Sequence, residues 1–200
     1  MSSHLERVSL KNDPEVPVVV IREHLLRYVL ALDLVAGKDV LDVACGTGYG
    51  MHLMSYLAKT VSGYDISLDA LEEATKFKYE CPICLEQRDL EEPLLLGNDK
   101  TDKFDVITCF ETVEHLVNPR PLFNKIRESL RPDGVLLFSI PNCRDLVDIN
   151  EWHKAAYNLE TITSIIKEHF PKSEVTFWGQ DQWGFSSDLK KPYLVGKVQL

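Results

Sequence analysis

The chain has 200 residues, 44% hydrophobic and 26% charged, enough for one domain with a substantial core, and no apolar run approaches the roughly eighteen residues of a membrane span. A net charge of −9 without any basic run opposes non-specific binding to phosphate backbones, so a nucleic-acid partner is not expected. The opening MSSHLERVSLKNDPEVP has no apolar block behind a basic region, and five cysteines form no even framework of spacings; a cytoplasmic protein with buried thiols is the expectation.

After Pro17, Val18, Ile21, Leu25, Tyr28, Val29 and Leu32 fall at helical intervals, which predicts an amphipathic first helix ended by Gly37. KDVLDVA then reads as a buried strand, GYGMHLMSYLAKT as a helix, VSGYDI as a second strand, and SLDALEEATKFKY as a helix capped by Ser67. CPIC, Cys81 to Cys84, has metal-like spacing but lacks the second pair that a structural zinc site needs. ICLEQRDL and KFDVITCF follow as strands, separated by a loop, EEPLLLGNDKTD. NPRPLFNKIRESLRPDG is a helix ending before Pro132, and VLLFSIPN a fifth strand. A helix capped by Asn158 over NLETITSIIKEHF and two strands, SEVTFWGQ and YLVGKVQL, complete the chain.

Alternating strands and helices predict an α/β fold: one Rossmann-like, doubly wound, seven-stranded sheet, mostly parallel, with an antiparallel last strand, the last two strands pairing antiparallel at one edge. Residues 1–36 are expected to form a helical segment packed on the same domain, and 37–200 the domain itself. His4, His24, His52 and His169 have no partners in sequence and read as surface or helix positions.

VLDVACGTGYG, Val40 to Gly50, turns from strand to helix through three glycines, which lets a ligand approach the backbone. Met51 stands where a dinucleotide fingerprint needs its third glycine, so a pyrophosphate ligand is disfavoured. A nucleoside without phosphates suits the pattern better. Asp65, about 20 residues downstream, is placed for two ribose hydroxyls, and Asp89 can accept from the exocyclic amine of adenine.

VLDVACGTGYG, GYDIS, RDLEEPL, FDVITCFETVEHL and LRPDGVLLFSIPN, in this order, resemble the class I S-adenosylmethionine-dependent methyltransferases from about Gly37 to Asn142. The resemblance implies S-adenosylmethionine as cofactor. Ala44, Gly46 and Gly48 would pack against its methionine portion, Asp42 would orient it near the ammonium, and Phe110 with Glu111 would border it. Asp65 would hold the ribose, Ile66 would lie on adenine, and Asp89 with Leu90 would face the adenine edge. Arg88 departs from relatives that carry glycine before the acid.

Methyl transfer from a sulfonium needs alignment above all, and a hydroxyl acceptor must also lose a proton. In FETVEHLVNP, Glu111, Glu114 and His115 would share one face if the segment is a helical turn. Two readings stand. In one, His115 is a general base or a wall of the acceptor site. In the other, the cluster holds a divalent metal, since E-x-x-E-H at this place resembles RNA 3′-end 2′-O-methyltransferases and some ubiquinone-pathway O-methyltransferases, with His153 as a further ligand. The first reading assigns no metal. The segment from SIPN to VTFWGQ is similar to bacterial methyltransferases associated with polysaccharide assembly, and Trp152, His153 and Tyr157 suit a sugar or aromatic ring.

The sequence therefore points to O-methylation of a hydroxyl on a sugar, glycan precursor or other small molecule, with Glu111, His115 and His153 on the acceptor side. A metal-assisted RNA methyltransferase and a non-catalytic donor-binding protein are the alternatives. The oligomeric state is left open.

Overall fold

The computed structural model describes residues 17–92, 103–144 and 152–200. Its eight strands form one sheet in the order β3-β2-β1-β4-β5-β8-β6-β7. β1 (Asp39–Val43), β2 (Thr60–Asp65), β3 (Ile83–Gln87), β4 (Phe104–Phe110) and β5 (Leu130–Pro141) are parallel neighbours; β8 (Tyr193–Gln199), β6 (Glu174–Asp181) and β7 (Gly184–Ser186) run antiparallel to theirs. The central strands are buried on both faces, so their sequences are near-continuous apolar runs rather than alternating ones.

One face carries α1 (Val18–Val35), α2 (Tyr49–Ser55) and α3 (Leu68–Ala74), whose Tyr28, Ala31, Val35, Met51, Met54 and Leu71 pack on Val40, Val61 and Val106. The other carries α4 (Arg120–Ser129) and α5 (Leu159–His169), with Phe123, Ile126, Ile162 and Ile166 against Leu41, Ile107 and Phe138. Ser67 accepts from the Ala70 amide, and Asn158 exchanges hydrogen bonds with Thr161, so both expected caps are present.

The sheet has one strand beyond the expected seven. After β6 the chain reverses at Gln182 and Trp183, where the Asp181 carboxylate accepts the Trp183 amide at 2.8 Å, and Gly184 at φ 123° starts the short β7. The expected β6–β8 pair is antiparallel, with β8 lying inside it against β5. β5 begins at Leu130, earlier than expected, because α4 stops at Ser129 and Asp133, at φ 63°, turns the backbone in the left-handed region.

α1 also differs from its expected face. Val18 and Val29 are 76% and 50% exposed, whereas Glu23 and Arg27 are buried beside Tyr28, Ala31 and Val35. The buried charges are matched by groups on strands far away in sequence, a compensation hydropathy cannot register.

The chain leaves β1 toward β2 and β3, then returns to β4 on the other side. In open α/β sheets the crevice at such a switch point, at the strand carboxyl ends, is where ligands bind. Residues 93–102 of the expected loop and 145–151 of the segment before Trp152 lie outside the described residues.

Candidate active site

A cavity of about 450 Å³ opens at the switch point between β1 and β4. Ala44, Cys45 and Gly46 line it from the β1 turn, Asp65 and Ile66 from the end of β2, and Arg88, Asp89, Leu90 and Glu91 from the chain after β3. Phe110, Glu111, Thr112, His115 and Leu116 line it from the chain at and after β4, and Trp152 with Lys154 from the segment before α5.

The three glycines of the β1 turn serve three ends. Gly46, at φ 54°, has no atom within 4 Å of where a Cβ would stand. At Gly48, φ 81°, a Cβ would come within 2.6 Å of the Ala74 Cβ and 2.8 Å of the Tyr79 hydroxyl; at Gly50 it would sit 2.1 Å from the Tyr28 ring. Of the three, Gly46 alone lines the cavity. Gly48 and Gly50 admit the protein's own α3 and α1.

Asp65 is buried and accepts from the Gly46 amide at 2.8 Å and the Ser67 amide at 2.9 Å. Ile66 is exposed beside it. Asp89 accepts from the Glu91 amide at 2.9 Å, a local turn that sets the carboxylate at the cavity wall. Arg88 is drawn back to Glu86 and lies 5.4 Å over the Tyr64 ring.

Asp42 lies behind the turn rather than on the wall. It is fully buried, accepts from Thr108 at 2.6 Å and Tyr28 at 3.1 Å, and burial raises its pKa to about 7. Its route to the cavity is the Tyr28 side chain, which does line it.

E-x-x-E-H divides instead of sharing one face. Glu111 has φ 46° and the helical turn covers only Val113–His115, so Glu111 stands outside the turn that carries Glu114 and His115. Its carboxylate accepts from Ser139 at 2.7 Å and pairs with Arg27 at 3.5 Å. Glu114, His115 and His153 converge, their ligand atoms all within 4.8 Å of one another, and the two imidazoles stand edge to face at 4.9 Å. The segment before α5 is stapled there: His115 Nδ1 lies 3.2 Å from the Trp152 carbonyl, and the Lys154 and Ala155 amides donate to the Glu114 carbonyl. Of this cluster His115 lines the cavity, while Glu114 and His153 stand off its wall.

The sequence profile of the methyltransferase domain family matches residues 20–172. The chain belongs to the class I S-adenosylmethionine-dependent methyltransferases. The chain is 38% identical over 109 residues to a ubiquinone biosynthesis O-methyltransferase of Actinobacillus pleuropneumoniae serotype 5b, covering 53% of this chain and 47% of that protein. It is 30% identical over 149 residues to one of Pseudomonas putida, covering 73% and 64%. The chain thus spans about half to two thirds of the length of these relatives. Its fold is shared with an S-adenosylmethionine-dependent methyltransferase from Clostridium acetobutylicum (TM-score 0.68, 19% identity, 94% and 93% of the two chains) and with the N-methyltransferase NodS of Bradyrhizobium japonicum (TM-score 0.67, 20% identity, 95% and 98%). No helix among the described residues is long and apolar enough to cross a membrane.

The residues fit S-adenosylmethionine: the cavity has the volume of a cofactor site, Gly46 offers backbone with no side chain in the way, and an acid ends the second strand. The part of α1 in the cavity was not among the sequence expectations. His24, expected at a surface or helix position and found on α1, lines the cavity and bonds the Tyr49 hydroxyl at 3.1 Å; burial and the nearby Arg27 charge push its pKa down to about 3. Tyr28 packs edge to face on both Tyr49 and Phe110, making an aromatic wall. His169 is likewise buried, against Asn124 and Phe123, and His52 stacks on Phe77. A glycine inside α2, Gly50, was the one local signal, and in the structure it lies under Tyr28 with no room for a methyl.

Proposed function

We infer that this chain transfers a methyl group from S-adenosylmethionine to a hydroxyl of a ring-bearing small molecule, aromatic or sugar. The observation that carries the reading is one cavity lined at one part by Gly46, Asp65, Ile66, Asp89 and Leu90 and at another by Phe110, His115 and Trp152. Relatives named for O-methylation in ubiquinone biosynthesis support an oxygen acceptor on a small molecule.

Bound S-adenosylmethionine supplies an electrophilic methyl with a good leaving group. In this reading Asp65 accepts the ribose hydroxyls, Ile66 covers the adenine, Asp89 and Leu90 face its edge, and the Ala44–Gly46 backbone receives the methionine portion. Holding the acceptor in line is the main gain, since fixed orientation replaces a bimolecular encounter. Trp152 and the Phe110 side of the aromatic wall sandwich the acceptor ring and exclude water. His115 takes the hydroxyl proton, a contribution of order a hundredfold, with its ring oriented by the Trp152 carbonyl and backed by His153.

The test is transfer of labelled methyl from S-adenosylmethionine into a cell extract, sorted by size and by sensitivity to nuclease, protease and glycosidase. Label in small or glycosidase-sensitive material is expected. Nuclease-sensitive label would replace this reading with the RNA one, and donor binding with no label in any fraction would leave a binding protein.

A second reading is favoured by one specific observation, the convergence of Glu114, His115 and His153. Nitrogen and carboxylate donors suit a divalent cation, and bonds of about 2.1 Å allow ligands up to about 4.2 Å apart, so small side-chain shifts would close this set. Glu111, held elsewhere, is no part of it. Loss of transfer in EDTA with recovery in Mg²⁺ or Mn²⁺ would establish the metal; transfer indifferent to chelator would leave His115 as the base.

A further inference from the structure

Arg27 on α1 is completely buried, and enclosing a guanidinium costs several kcal/mol unless its charge and donors are matched. Its Nε donates to Gln180 Oε1 at 2.7 Å, and its guanidinium lies 4.5 Å over the Tyr193 ring. Gln180 in turn donates to the Glu23 carbonyl at 2.7 Å. Both Nη groups are buried without a hydrogen bond, and Nη1 faces the Glu111 carboxylate at 3.5 Å. The charge is thus paired directly with Glu111, with the buried Glu23 carboxylate also in its field, while the neutral partners fix its direction.

Glu111 is itself held in an unfavourable conformation. A non-glycine residue at φ 46° costs about 1 kcal/mol or more and persists only where its surroundings impose it. Its amide bonds the Ser139 hydroxyl at 3.0 Å, the same hydroxyl donates to its carboxylate, and Arg27 attracts that carboxylate from the other side. Phe110 and Glu111 both line the cavity, where the donor reading puts the methionine end.

We propose that Arg27 is a positioning residue of the donor site, holding Glu111 so that the Phe110–Glu111 backbone meets the amino-acid end of S-adenosylmethionine. The proposal rests on the donor reading above. It also gives the antiparallel strands a part in the site, because Gln180 on β6 and Tyr193 on β8 aim a residue of α1 at the end of β4. Lysine is no substitute, since a point charge cannot serve Gln180 and Glu111 together as the guanidinium fork does.

The test compares two ligands by calorimetry: S-adenosylmethionine, and 5′-methylthioadenosine, which has the nucleoside without the amino-acid end. In Arg27→Met, S-adenosylmethionine should bind at least about tenfold more weakly, and methylthioadenosine within about twofold of the parent; Arg27→Lys should fall between. Equal loss for both ligands, or no loss for either, would overturn the proposal while the donor reading stood. A parent protein that bound neither ligand would overturn both. If Arg27→Met does not fold, Arg27→Met with Glu111→Gln removes both members of the Arg27–Glu111 pair together. Selective weakening there supports positioning. Full recovery of affinity would mean that Arg27 only neutralises Glu111, and would overturn it.

Discussion

The Gly46 amide donates to the Asp65 carboxylate over 2.8 Å, tying the turn after β1 to the end of β2. One carboxylate therefore shapes the turn on which the donor is proposed to rest and faces the cavity itself. Asp65→Ala leaves the Gly46 and Ser67 amides without their acceptor, which should cost about 1–3 kcal/mol of stability as well as donor binding. Asp65→Asn keeps one carbonyl oxygen, so stability should fall less while donor affinity still drops. Urea unfolding and calorimetry on the two variants separate these effects; undiminished donor affinity in Asp65→Ala would leave Asp65 as a turn clamp only.

The glycines make a sharper division. Gly46→Ala meets no atom, so its stability cost should be the left-handed strain alone, roughly 1–2 kcal/mol, while the methyl stands in the donor's path and weakens binding. Gly50→Ala drives a methyl to 2.1 Å from the Tyr28 ring and should cost more in stability, through overpacking of α1 on α2. Thermal melts paired with donor titrations should rank the two oppositely: Gly46→Ala worse in binding, Gly50→Ala worse in melting temperature.

Those glycines also show where the sequence was legible. The strand-turn-helix pattern and the acids ending β2 and following β3 are local, so the fold and the cavity edge that these acids line could be read from spacing. What could not be read is what meets across the sheet. Arg27 and Gln180 are 153 positions apart, and no periodicity announces that a charge on α1 points inward. For the same reason His24 read only as a surface or helix position, with no sign of the cavity it lines. Glu111 read as one face with Glu114 and His115 because spacing carries no φ angle, and 46° turns it toward Arg27.

Asp42 and His24 are expected to oppose one another in acid. Burial raises the Asp42 pKa from 3.8 to about 7, so between these values the folded state holds a proton that the unfolded chain has lost, and stability falls as pH rises. His24 is lowered from 6.5 to about 3, so over that window the unfolded chain binds the extra proton and stability falls as pH drops. Each slope reaches at most about 1.4 kcal/mol per pH unit. From about pH 4 to 6.5 they cancel in part. Asp42→Asn should expose a stability that climbs with pH across this range, and His24→Gln one that declines. Urea midpoints at half-unit intervals would show it; parallel profiles for both variants and the parent would refute the opposed pair.

Trp152 offers the cleanest separation of acceptor from donor. It is 44% exposed and holds its place by its backbone, whose carbonyl meets His115, so Trp152→Ala removes little packing and should keep stability within about 0.5 kcal/mol. The donor-side residues Asp65, Ile66 and Asp89 are untouched, so S-adenosylmethionine should bind as to the parent. Transfer of labelled methyl into the small-molecule fraction should nevertheless fall by about tenfold or more, because a ring no longer stacked on the indole loses its fixed approach to His115. A drop in donor affinity of the same size would move Trp152 from the acceptor side to the donor side. Unchanged transfer would remove it from the site altogether and leave the aromatic wall of Tyr28, Tyr49 and Phe110 to orient the acceptor.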